Sequence, residues 1–241
     1  MILQNRELIE EGAGFGVPVA KYEDNTLFSS TAKIYLEEPR KGNSLVLKKV
    51  FFLDAVSKKQ VRGKSVNDAF YEVLHETFER AYLQRQSMRP VFDWTMRLRK
   101  TLGVTTQFAR VRPRGAIAVI YRCLPNLVDV TVDLSALKKT GAQEILLLNE
   151  QGASTFRRYS DTNGAILYDR QIGAWKNVTA KRAVFSDINR QISFSLENKP
   201  EASLIRGREE VKDRFSWAGM THVLNPTVTH FGYKITIQRI I

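Results

Sequence analysis

The chain has 241 residues, is 43% hydrophobic and 10% aromatic, and carries a formal charge of +12. That is enough apolar material for a sizeable core, and the basic balance favours acidic or polyanionic partners. The lone cysteine, Cys123, excludes an intrachain disulfide and disfavours a cysteine-rich zinc centre, and no apolar run approaches the ~18 residues of a membrane span.

At the start, Gly12-Ala13-Gly14-Phe15-Gly16 precedes an apolar run, Val17 to Tyr22, that reads as a strand. A dinucleotide fingerprint needs a further glycine and a following helix, so these glycines read as a turn or a close backbone approach. Met1 to Val19 lacks a basic start and an apolar stretch and holds Glu7, Glu10 and Glu11, which is unlike a signal peptide. The expected location is cytoplasmic. Thr26 to Glu37 alternates apolar and polar positions, and Pro39 to Asn43 reads as a turn into a strand from Ser44 to Leu53.

A basic loop from Ser57 to Ser65 then leads to the one long helix the pattern predicts, Ser65 to Gln86. Val66, Phe70, Val73, Leu74, Phe78, Ala81 and Tyr82 recur at helical spacing, and Ser65 followed by Asp68 reads as a capped start. Asp68, Glu72, Glu76 and Glu79 lie on the other face; against Arg80 and Arg85 these four acids leave −2, so the rest of the chain carries +14. The loop ends in Gly63-Lys64-Ser65, but Lys58 stands where a phosphate loop needs its first glycine. A simpler anion site remains, with Lys59, Arg62, Lys64 and Ser65 at the positive end of the helix dipole. His75 lacks a second histidine four residues on, so the expectation is no metal site and no cofactor.

Beyond the helix the β pattern becomes explicit. Phe92 to Arg99, Val104 to Arg112, Ala116 to Cys123 and Val128 to Leu134 read as an antiparallel meander. Its exposed side and turns carry Arg97, Arg99, Arg112 and Arg114, arginines with few interleaved aromatics that suit contact with a polyanion backbone. Glu144 to Asn149, Thr155 to Tyr159, Ala165 to Asp169, Asn177 to Ser186, Arg190 to Glu197 and Phe231 to Gln238 continue the strands, with Asn163-Gly164 a hairpin signal. The expected fold is mainly β, a large antiparallel β-sandwich of supersandwich-like character with one long helix packed against it. A single domain over 1–241 is favoured, with any subdivision near residue 103.

The segment from Glu197 to His222 mixes acids, arginines, tryptophan and histidine more closely than most of the chain. Glu197, Glu209 and His222 are candidate catalytic groups, and Arg206, Arg208, Arg214 and Trp217 candidate binding groups for a charged saccharide: indole stacks on a sugar face, guanidinium grips its oxygens and a carboxylate moves a proton. The leading expectation is a saccharide-directed protein. A non-enzymatic binder of nucleic acid or another polyanion, and a structural or assembly module, are the alternatives. No membrane partner is expected, and the residues do not decide the oligomeric state or whether chemistry occurs.

Overall fold

The computed structural model describes residues 2–3, 6–7, 14–24, 26–41, 44–61, 104–211 and 215–239. By its contacts the chain divides into a large unit, Met1–Ala55 with Arg110–Ile241, and a smaller one, Val56–Ala109. The strands in chain order are β1 (Ile2–Leu3), β2 (Arg6–Glu7), β3 (Gly14–Tyr22), β4 (Thr26–Lys41), β5 (Ser44–Val61) and β6 (Val104–Arg110). They continue as β7 (Ala116–Leu124), β8 (Leu127–Asp133), β9 (Ala142–Gly152), β10 (Arg158–Asp161), β11 (Ile166–Tyr168) and β12 (Lys176–Asn177). The last five are β13 (Arg182–Ser186), β14 (Ile192–Glu197), β15 (Ala202–Val211), β16 (Phe215–Leu224) and β17 (His230–Arg239).

The chain is therefore mainly β, as its alternation predicts. Among the described residues the only helical element is a 3-10 turn at Asp169–Gln171. The expected helix at Ser65 to Gln86 lies outside the described residues, as does the expected strand at Phe92 to Arg99. No described helix is long and apolar enough to cross a membrane.

The strands do not divide into two stacked sheets. Apart from the β1/β2 pair they form one sheet of 15 strands in the order β11-β10-β13-β14-β17-β8-β7-β5-β4-β3-β9-β16-β15-β12, with β6 beside β5. Every pairing with a resolved register is antiparallel, for example Val130 opposite Tyr233 and Leu147 opposite His222. In place of a sandwich of two sheets, the two wings of one sheet turn their apolar faces to each other. Phe15 on β3 meets Phe194 on β14 edge-on at 5.6 Å, and Phe156 meets the same ring at 5.0 Å. Period-two alternation supplies this face: Val130 and Val132 on β8, Phe231, Tyr233 and Ile235 on β17, and Ile145 and Leu147 on β9 are all buried. Each large side chain so placed contributes about 1.5–3 kcal/mol.

Several boundaries differ from the sequence reading; the expected strand from Asn177 to Ser186, for example, is observed as two, β12 and β13. β5 runs on through Ser57 to Val61, where a basic loop is expected, and β4 extends through Pro39 to Lys41, where a turn is expected. β15 and β16 form a long hairpin across a segment that reads as loops and strand ends.

The glycines near the start serve a bulge. The β3/β9 register shifts between Phe15 and Val17, and Gly16 between them has φ +68°, a left-handed conformation that favours glycine. The bulge turns backbone groups inward, where the neighbouring strand β9 satisfies one and the opposite wing another. Gly16 N–H donates to Asn149 Oδ1 at 3.0 Å, while the Tyr121 hydroxyl donates to the Phe15 carbonyl at 2.8 Å. Tyr233 also donates its hydroxyl to Asn149 Oδ1, at 2.8 Å. A Cβ at residue 16 would sit 3.0 Å from that hydroxyl, so glycine is required by space as well as by φ.

Replacing Asn149 with alanine orphans two buried donors, each at about 1–3 kcal/mol, whereas Tyr233→Phe removes one donor and leaves Asn149 Oδ1 bonded to Gly16, at about 1 kcal/mol. Urea unfolding is expected to rank Asn149→Ala as several-fold the more damaging. Equal losses would mean that the amide is not the shared acceptor.

Candidate functional site

The alternation of β15 separates its charged residues onto two faces. Leu204 is buried in the core, and Arg206 and Arg208 follow it at the same period. Arg206 donates to the Ile172 carbonyl and lies 5.0 Å from the centre of the Tyr159 ring, while Tyr159 donates its hydroxyl to Asp161 at 2.8 Å. Arg208 donates to the Ala153 carbonyl at 3.0 Å and approaches Asp169 at 3.6 Å. Asp169 is held in turn by a two-pronged bond from Arg157 at 2.7 and 2.9 Å, which keeps its carboxyl below the usual range. Both arginines of β15 thus fix the loop between β9 and β12.

Glu209 takes the other face, with Gly207. The Trp175 indole lies directly over Gly207, so close that a Cβ there would sit 2.7 Å from the ring. Trp175 Nε1–H donates to Glu209 Oε1 at 2.5 Å. In the next strand Gly219 stands opposite Gly207, and Trp217 opposite Glu209. Gly219 is also opposite Glu150 of β9, and a Cβ on it would come 2.3 Å from the Asn149 carbonyl, so a larger residue would push β16 off β9. Two carboxyl groups, Glu150 and Glu209, therefore share a glycine-floored stretch of sheet with two tryptophans. Burial first, and the charge of Glu209 second, push the Glu150 carboxyl up to about 7. A carboxyl tuned there is half protonated near neutral pH, the condition for donating and recovering a proton.

The residues expected from the sequence are distributed as follows. Glu209 and Trp217 come together; Arg206 and Arg208 occupy the same strand but turn to the core side. Glu197 ends β14 opposite Arg182, exposed, and is apart from Glu209. His222 is fully buried between the rings of Phe231 and Tyr233, at 5.1 and 4.6 Å. Its Nε2 lies 3.4 Å from the Glu197 carbonyl, and burial pushes the imidazole down to about 4, so at neutral pH it is an uncharged core residue. Arg214, Arg62, Lys64, Ser65, Arg97 and Arg99 lie outside the described residues, and Lys59 falls on β5.

Arg112 and Arg114 line a separate pocket of about 580 Å³ with Lys138 and Thr140. Arg114 is already engaged there, bonded to Asp24 at 2.5 Å and stacked 4.3 Å from the centre of the Tyr22 ring. Among the described residues no group of three or more histidine, cysteine, aspartate or glutamate side chains is arranged to hold a metal ion.

Glu150 and Trp175 are the functional candidates that sequence reading misses. Glu150 had a faint signal, an acid two positions after the apolar run Ile145 to Leu148. Trp175 had none, because its role depends on Gly207 thirty-two residues later. Comparison with known proteins finds no family model, no curated protein and no solved structure that this chain matches.

The raised Glu150 carboxyl links stability to pH. Its unfolded value is near the ordinary 4.5 and its folded value about 7, so its contribution is fully present below 4.5 and is lost as pH rises through 7. That loss amounts to about 3 kcal/mol. Glu150→Gln removes the ionisable group, so relative to the parent chain it should gain stability between pH 5 and pH 8.5 in urea titrations. A difference that stays constant over that range would contradict the burial assigned to this carboxyl.

Proposed function

We propose that the protein binds a saccharide on the face carrying Trp175, Trp217, Glu150 and Glu209, and processes it with the two carboxyl groups as proton donor and acceptor. The observation that carries this reading is the raised Glu150 carboxyl beside Glu209, with Trp175 laid flat on Gly207. A flat indole supplies a stacking platform for the apolar face of a sugar ring. Its N–H bond to Glu209 fixes platform and carboxylate as one unit, leaving Glu150 as the proton-carrying partner. Two acids pushed apart in proton affinity are how such sites divide their tasks.

Glycan-array binding followed by product analysis tests the proposal. Trp175→Ala should weaken binding of the selected glycan at least tenfold. Glu150→Gln should retain binding and lower turnover by about 10²–10⁴, the range for removing a general acid. Binding that survives Trp175→Ala, or turnover that survives Glu150→Gln, would defeat it.

A second reading, a non-enzymatic polyanion binder, is favoured by the Arg112, Arg114 and Lys138 pocket together with the net charge of +12. It requires affinity that falls steeply with salt and no turnover. A cytoplasmic location stands as part of the same proposals.

A further inference from the structure

A second recess lies on the outer side of β7, β8 and β17, whereas Glu150 and Glu209 lie on β9 and β15. Its volume is about 490 Å³, within the range of small-molecule sites, and Arg122, Asp129, Thr131, Lys199, Gly232 and Lys234 line it. The register builds it: Arg122, Asp129 and Lys234 form one row across the three strands, and Ile120, Thr131 and Gly232 the next. Gly232 has no side chain to fill the floor.

The open side of the recess is where two strands part. β14 pairs with β17 only from Ile192 opposite Arg239 to Ser195 opposite Thr236. Ile237 N–H bonds to the Asn126 carbonyl, which turns the odd-numbered amides of β17 toward β8 and the even-numbered ones toward β14. Beyond Thr236 that ladder ends, and Gly232 and Lys234, which line the recess, lie past its last pair. Lys199 enters from the turn after β14, anchored by its bridge to Ala202.

Charge defines the ligand. Lys234 lies 3.8 Å from Asp129, whereas among the described residues neither Arg122 nor Lys199 has a carboxylate in ion-pair range. Three cations against one acid leave two positive charges, the complement of a phosphate monoester, which carries about −1.5 to −2 at neutral pH. We propose that this recess binds a phosphate-bearing small molecule, its phosphate held by Arg122, Lys199 and Lys234, and its organic body lying against Ile120 and Thr131.

Calorimetric titration of the full chain with inorganic phosphate and with glucose 6-phosphate, at ionic strength fixed with chloride, tests this. Both should bind, the ester more tightly. Arg122→Gln with Lys199→Gln should weaken both at least tenfold. Gly232→Glu should abolish binding; the nearest atom to a Cβ there is the Val130 carbonyl oxygen at 3.9 Å, so the new side chain enters the recess without backbone strain. Unchanged melting of both variants without ligand confirms that they fold. No phosphate binding, equal affinity in the variants, or a loss seen instead with Arg112→Gln and Lys138→Gln would overturn the proposal. Trp175→Ala and Glu150→Gln should leave phosphate affinity unchanged, so failure here is distinguishable from failure of the saccharide reading.

Discussion

The amide of Asn149 holds the two wings of the sheet together. Its Oδ1 accepts from Gly16 on β3 and from Tyr233 on β17, while its Nδ2 donates to the Leu147 carbonyl, so a fully buried polar group finds partners on three strands. A buried amide left unpaired is expensive, and an apolar residue there would orphan the groups that the Gly16 bulge releases. The apolar faces supply most of the driving force for closing the sheet, but they are interchangeable in register. The Asn149 network is specific to one arrangement. The buried Tyr121 and Tyr233 hydroxyls keep their protons to well above the ordinary range, which preserves both as donors at any physiological pH.

This constraint reaches the candidate site through a single peptide unit. In a strand, successive side chains point to opposite faces, so the residue that pins the interior, Asn149, is followed by the one that faces away from it, Glu150. Gly219 lets β16 approach the backbone at this point, and the β15/β16 register then sets Gly207 and Glu209 beside it. The interior network and the acid pair are two faces of one stretch of sheet. Rigid strands are better supports for a tuned proton donor than loops, since small displacements would let water reach the carboxyl and return it to its ordinary range.

Elements whose alternation is clean are legible from sequence: Val128 to Leu134, Phe231 to Ile237 and the turn at Asn163-Gly164 all form where the pattern puts them. The β15/β16 hairpin hides because its core-facing positions include Arg206, Arg208 and His222, polar groups tolerated there by carbonyls that come from Ile172, Ala153 and Glu197. One continuous sheet cannot be told from two stacked ones by periodicity, because both need the same alternation and differ only in long-range pairing. For the site, composition groups Glu209 and Trp217 in one segment, and the β15/β16 register sets them opposite each other. Composition pairs them with Glu197, close in sequence, because nothing local reveals that β9 lies next to β16 and brings Glu150 there instead.

The most direct test of this account is a carbon-13 NMR titration of the Glu150 carboxyl, in the parent chain and in Glu209→Gln. A midpoint near 7 in the parent, moving downward when the neighbouring charge is removed but staying above the ordinary range because burial persists, is the predicted result. A midpoint near 4.5 in both proteins would show an exposed, uncoupled carboxylate and would contradict the acid pair on which the functional proposal stands.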